Sequence, residues 1–213
     1  MKRREFSGLL AAAGIGAAAG PLQAQGGPIE GTHYVRLAKP APVSVPAGKV
    51  EVVEFFWYGC PHCNALEPAL EAWIKRLPAD VVFRRVPVAF GAVHESHQRL
   101  FYTLEAMGQL AAVHPKIFAA IHVQRQRLDR EADQLAFLKA QGVDTARFAE
   151  LSKSFSVQTK MRQARQLTDA YDIDGVPALG VHGRFYTAGS LAGDNVRALA
   201  VADVLIARAR KGT

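Results

Sequence analysis

The only two cysteines of this 213-residue chain, Cys60 and Cys63, stand three positions apart inside VEVVEFFWYGCPHCNALEPALEAW, residues 50–73. A disulfide across so short a loop restricts the unfolded chain little, so stabilisation is a weak reason to place one there. A four-ligand zinc site would need two further ligands, and with no other cysteine these would have to be His62 or distant histidines. Haem attachment requires histidine directly after the second cysteine, where this chain has Asn64. Dithiol–disulfide exchange accounts for the position of the pair as well as its spacing.

The position is a junction. Val50 to Tyr58 is almost continuously apolar, β-branched or aromatic, as in a strand buried on both faces. Leu66, Leu70, Trp73, Ile74 and Leu77 then recur at helical spacing, Lys75 and Arg76 fall in the last turn, Pro78 stops the helix, and Pro68 should bend it. Cys60 therefore falls at the helix N-terminus, beside unpaired backbone N–H groups and the positive end of the dipole, both of which favour thiolate. Pro61 suits a first helical turn, and His62 adds a positive partner within reach of the sulfur. A thiolate stabilised in the reduced state makes the disulfide easy to reduce, so the oxidised protein oxidises other thiols. Cys63, one turn in and facing the core, is the resolving thiol.

Composition bounds the rest. Hydrophobic residues make up 49% and charged residues 21%, ordinary for a globular chain. The N-terminus, MKRREFSGLLAAAGIGAAAGPLQAQ, has the basic, apolar and small-residue segments of a secretory signal peptide, with a cut expected after Ala24. Arg3 and Arg4 followed by Phe6 and Leu9 also resemble a twin-arginine export signal, or simply supply the positive segment. An uncleaved anchor is disfavoured by Gly14, Gly16 and Gly20. Export would deliver the chain to an oxidising compartment, where a thiol pair can exist as a disulfide. The leader holds three basic residues and one acid, so about +5 of the formal +7 stays with the mature chain. Those bases are dispersed and no aromatic residues interleave with them, which points to a solvated surface and no nucleic-acid partner.

Along the chain, a short strand is expected near Tyr34 to Leu37, then the strand and helix around the cysteines, then a second buried strand in VVFRRVPVAF. Residues 94 to about 171 show only helical periodicity, broken at Gly108, at Gly142 with Asp144, and at Ser152 to Ser156. VPALGVHGRFYTAG reads as two short strands joined at His182-Gly183, and residues 194–210 as a closing amphipathic helix. The order is β, β, α, β, a helical block, β, β, α.

With FFWYGCPHC, GVPA at 175–178, the leader and this element order, the chain resembles the DsbA family of bacterial periplasmic thiol:disulfide oxidoreductases over essentially its whole mature length. The resemblance implies an α/β, thioredoxin-like fold with an inserted all-helical domain: signal peptide 1–24, thioredoxin-like domain 25–92 and 172–213, helical insertion 93–171. It implies a monomer without cofactor or metal, donating its disulfide to unfolded or newly exported cysteine-containing proteins and reoxidised by the membrane protein DsbB. By position, Cys60 is the attacking, surface-facing sulfur, Cys63 the buried one, and Pro61 and His62 the dipeptide that tunes them. Pro177 matches the family's cis-proline, with the Val176 backbone pairing to a bound substrate strand. From the sequence alone, Pro177 could equally be a trans proline opening a strand.

Glu54 is an acid in the middle of a buried strand, costly there unless paired or protonated. The family has a buried acid at this place, which helps to move the second cysteine's proton; its usual lysine partner has no match here, where Phe83, Arg84 and Arg85 stand. A solvent-facing Glu54, beside Val52 and Phe56, is the plainer alternative. His94 and His97 read as surface histidines, Phe55, Phe56 and Trp57 as core, and His114 and His122 as helical without a role. An isomerase or reductase would use the same cysteines, although periplasmic isomerases usually carry an N-terminal dimerisation domain. A metal-handling module would be richer in methionine or histidine than this chain, which has three methionines.

Overall fold

The computed structural model describes residues 27–212. The expected leader, with its cut after Ala24, lies outside the described residues. Five strands form one sheet: β1 (Val35–Arg36), β2 (Val50–Phe56), β3 (Val81–Pro87), β4 (Ala178–Val181) and β5 (Phe185–Ala188), in the order β1-β5-β4-β2-β3. β2 and β3 run parallel, as a crossover through helix α1 (Pro61–Lys75) requires, and the other pairs are antiparallel. Five helices separate β3 from β4: α2 (Ala92–Ala106), α3 (Leu110–His122), α4 (Glu131–Ala140), α5 (Thr145–Ser152) and α6 (Phe155–Ala170). The four-residue α7 (Gly189–Ala192), too short to leave a periodic pattern, and α8 (Asn195–Arg210) close the chain. This is a thioredoxin-like fold with a helical insertion.

The helices start where side chains can satisfy their free N–H groups. Asp144, Ser154 and Asp194 cap α5, α6 and α8 by accepting from the backbone N–H three residues on. Between β4 and β5 the chain reverses through His182 and Gly183, with φ of 49° and 65°, the positive values that a tight hairpin needs at both central residues. The two faces of the sheet are packed differently. Val52 and Leu179 meet Leu66, Leu70 and Trp73 of α1 and Leu199 and Leu205 of α8, whereas Val53, Phe55 and Ala178 face the helical block and Tyr171. A side chain at Gly180 would strike the Tyr171 ring, whose hydroxyl accepts a 2.7 Å hydrogen bond from Gly183 N–H. Among the described residues, no helix is long and apolar enough to cross a membrane.

Four expectations need correction. VVFRRVPVAF is not a strand buried on both faces: β3 lies at one edge of the sheet, and from Val81 to Arg85 it is only partly covered or exposed. Its two arginines already argued for that, since an edge lets their guanidinium groups reach outward past the sheet. His97 is not a surface histidine either; it is 2% exposed, with Nε2 3.0 Å from the Arg127 carbonyl oxygen. His94 is half-buried, stacked on Trp57 with ring centroids 4.1 Å apart, while Trp57 itself is only partly covered and not closed into the core as Phe55 and Phe56 are.

Candidate active site

β2 ends at Phe56, and Trp57, Tyr58 and Gly59 carry the chain over to the helix. A Cβ at Gly59 would lie 2.3 Å from Trp57 Cζ2, so any larger residue there would have to push the folded-over indole aside. Cys60 is the N-cap of α1, its N–H bonded to the Trp57 carbonyl oxygen at 3.0 Å, and Pro61 opens the helix. No side chain caps this terminus. Its free N–H groups are instead available to the sulfur, as at other helix starts that hold anions.

Both cysteines are free thiols, and their surroundings drive them apart. The Cys63 thiol and the backbone N–H groups of Cys63 and His62 donate to Cys60, and with the His62 charge they outweigh partial burial, lowering the Cys60 pKa to about 6. Burial first, and then the hydrogen bond given to Cys60, push the Cys63 thiol far above its ordinary range. Cys60, expected to face the surface, is 7% exposed and Cys63 fully buried. In its protonated form Cys60 donates to the Val176 carbonyl oxygen at 3.4 Å. The Val176–Pro177 peptide bond is cis. Both residues line an open groove of about 710 Å³, together with His62, Asp174, Tyr186 and Leu191.

Behind Cys63, Glu54 is 0% exposed. The register of β2 with β3 sets Arg85 directly beside it, and Arg85 Nε lies 3.0 Å from Glu54 Oε2. An arginine thus stands where the resemblance implied a lysine. The contact is close but not aligned as a hydrogen bond, and neither Glu54 oxygen has a hydrogen-bond partner among the described residues. Burial dominates over the Arg85 charge and raises the Glu54 pKa to about 8. Arg85 spends its aligned bonds elsewhere: Nη2 donates to Glu67 at 3.2 Å and to Glu71 at 2.7 Å.

Tyr58 joins this charge cluster to the helical block. Its hydroxyl is 2.8 Å from His114 Nδ1, and its carbonyl oxygen lies 2.8 Å from His122 Nε2. The structure therefore brings together Glu54, Cys60, Pro61, His62, Cys63, Val176 and Pro177. It settles on Arg85 of the two arginines that the sequence offered beside Glu54, and adds Tyr58, Glu67 and His114, which reasoning from sequence missed. Glu67 had a legible signal, since it follows Cys63 by four residues and so shares its helix face; His114, 51 positions beyond Cys63, had none. Among the described residues, no group of three or more His, Cys, Asp or Glu side chains is placed to hold a metal ion.

A thioredoxin fold bearing a Cys-Pro-His-Cys pair on the first turn of a helix, one sulfur activated and the other suppressed, defines a thiol:disulfide oxidoreductase. The DSBA-like thioredoxin domain matches residues 51–200. The thiol:disulfide interchange protein DsbA of Bordetella pertussis is 46% identical over 99% of this chain and 100% of its own length, and that of Pseudomonas aeruginosa is 43% identical over 84% and 85%. The crystal structure of Pseudomonas aeruginosa DsbA superposes with a TM-score of 0.81 at 42% identity, covering 85% of this chain and 94% of that one. The oxidoreductase DsbA of Xylella fastidiosa gives 0.80 at 30% identity, covering 86% and 98%. The chain belongs to the DsbA-like thioredoxin family.

Proposed function

We propose that this oxidoreductase runs as an oxidase, introducing disulfide bonds into exported proteins. What supports this direction is the asymmetry of the pair: Cys60, at an uncapped helix N-terminus beside the Cys63 thiol and the His62 and Cys63 N–H groups, is drawn toward thiolate, and Cys63 is kept protonated by burial. Stabilising the dithiol form makes the Cys60–Cys63 disulfide a strong oxidant. In the cycle, a substrate thiolate attacks Cys60 and the S–S electron pair leaves on Cys63, which takes the proton of the Glu54 carboxyl. A second substrate thiolate then attacks the substrate sulfur of the mixed disulfide, and Cys60 departs as thiolate. The substrate dithiol has lost two electrons and the protein has gained them.

In this reading Pro61 and His62 tune Cys60, and Val176 and Pro177 present a backbone edge to an extended substrate in the adjoining groove. The enzyme works as a periplasmic monomer after loss of residues 1–24, with residues 25–92 and 172–213 as the redox domain and 93–171 as the helical insertion, and DsbB reoxidises it. The test is the equilibrium of the purified protein with a glutathione redox buffer, followed by Trp57 and Trp73 fluorescence. A strongly oxidising potential is expected. A potential near that of thioredoxin, roughly −270 mV, would make it a reductase or isomerase instead.

A further inference from the structure

His114 belongs to α3, far from the redox motif in sequence, yet it is 5% exposed and its two ring nitrogens face two different parts of the site. Nδ1 meets the Tyr58 hydroxyl, and Nε2, without an aligned hydrogen-bond partner among the described residues, faces Glu67 Oε2 at 3.6 Å, the oxygen that accepts from Arg85. Arg85 is therefore one guanidinium shared by three carboxylates. Glu67 and Glu71 receive aligned N–H bonds, and the most deeply buried, Glu54, receives charge without them.

We propose that His114 is a positioning residue for the exchange reaction: it tethers Glu67 on Arg85, and so prevents that guanidinium from satisfying Glu54 and stripping it of the proton that the leaving Cys63 sulfur needs. This role presupposes the reading of Glu54 as the proton donor to Cys63. When the Tyr58 hydroxyl donates to Nδ1, the imidazole proton sits on Nε2, facing the Glu67 carboxylate. The ring can then act as a donor without carrying charge, which suits its burial; burial also holds the His114 pKa below its ordinary value. Burial opposes the charge on Glu67, but the approach of the His114 ring and the Arg85 charge more than offset it, and its pKa stays below the usual carboxylate range.

Without the tether, Glu67 has somewhere to go. It lines a cleft of about 770 Å³ with Glu71, Arg84, Arg85, Glu105 and His114, which contains the charged groups that α1, β3, α2 and α3 turn toward this site. Glu67 moving into that cleft would remove a negative charge from beside Glu54 and release one Arg85 Nη2 N–H to turn toward it, the other staying on Glu71. Both changes favour the Glu54 carboxylate over the acid. The attack of a substrate thiolate on Cys60 would then expel a Cys63 thiolate with no proton at hand.

Three substitutions separate this role from packing. His114→Asn places an amide where Nδ1 was, keeping the Tyr58 contact and losing the reach to Glu67. His114→Gln places its amide nitrogen near the Nε2 position and keeps the tether. Glu67→Asp keeps the charge but withdraws it by one methylene. The readouts are the infrared band of the protonated Glu54 carboxyl against pH, assigned by its loss in Glu54→Gln, and the pH profile of mixed-disulfide formation between the oxidised protein and a cysteine peptide.

In His114→Asn and Glu67→Asp the Glu54 proton affinity is expected to fall about tenfold, one pH unit, and the alkaline loss of rate to move down with it. His114→Gln is expected to titrate with the wild type. Wild-type titration in Glu67→Asp overturns the proposal even if His114→Asn does not fold, and so does a His114→Gln shift equal to that of His114→Asn. A wild-type protein with no band sensitive to Glu54→Gln would instead sink the Glu54 reading itself.

Discussion

β2 carries two fully buried acids three residues apart, each beside an arginine of β3, and the two pairs are built in opposite ways. Glu51 accepts from Arg84 Nε at 2.9 Å and Nη2 at 3.4 Å, and its Oε1 also accepts from Ser44 N–H at 3.1 Å. Glu54 has Arg85 at a comparable distance, 3.0 Å, and no hydrogen bond at all among the described residues. Proximity to a positive charge is common to both, so it is the directed N–H groups that distinguish an ion pair built for structure from one left open for chemistry. The thiols repeat the contrast: Cys60, fully supplied with donors, is pushed toward thiolate, and Cys63, giving its hydrogen away, is held as thiol.

The largest expected effect tests the thiol contrast. Cys60→Ser should reduce peptide oxidation to the uncatalysed rate, while Cys63→Ser should still be captured and accumulate mixed disulfides on non-reducing gels; activity retained in Cys60→Ser would break the assignment. Next comes the acid contrast. Arg84→Met strands the Glu51 charge in the core and should lower stability by about 3–5 kcal/mol in urea unfolding at pH 7. Arg85→Met should lower it by less, about 2 kcal/mol, through the lost bonds to Glu67 and Glu71, because Glu54, with its pKa already raised to about 8, keeps its proton. Equal losses would erase the distinction.

The pH dependence sharpens it further. The Glu54 pKa rises from 4.5 to about 8 on folding, so the stability it contributes is complete below pH 4.5 and is lost as pH climbs through 8. Glu54→Gln should therefore remove a downward slope of about 1 kcal/mol per pH unit across that window, read as the difference from wild type in denaturant midpoints. The smallest effect has the opposite sign. The Cys60 pKa falls from 9 to about 6, so its thiolate stabilises the reduced form fully above pH 9 and not at all once pH drops through 6. At pH 7 that is about 1 kcal/mol, and comparing reduced protein with Cys60→Ser between pH 5 and pH 8 would detect it.

Much of this was legible in sequence because it is local. The strand-to-helix junction placed Cys60 at an N-cap, and the spacing of Leu66, Leu70 and Trp73 gave α1 its buried face. His182-Gly183 between two apolar runs marked the hairpin that places β4 in the middle of the sheet. What escaped depends on distant contacts. His97 lies among charged neighbours and reads as exposed, but Arg127, 30 residues on, covers it with a carbonyl oxygen. Glu51 drew no notice because its burial comes from Arg84 and the Ser44 loop folding across it. The network from Tyr58 to His114 is assembled only by docking α3 onto the redox loop, and no period in either segment announces that.

The place of β4 bears on when the chain can become an enzyme at all. β2 pairs with β3 from nearby sequence, but its other edge stays open until Ala178–Val181 arrives, after five helices have been made. A shortened chain ending before β4 would carry both cysteines, the helix dipole and Glu54 on a two-stranded fragment with a bare apolar edge, prone to pair with a neighbour. Such strand insertion between distant segments is slow to find. The reactive dithiol is thus among the first parts of the catalytic half to be made, and its wall is among the last.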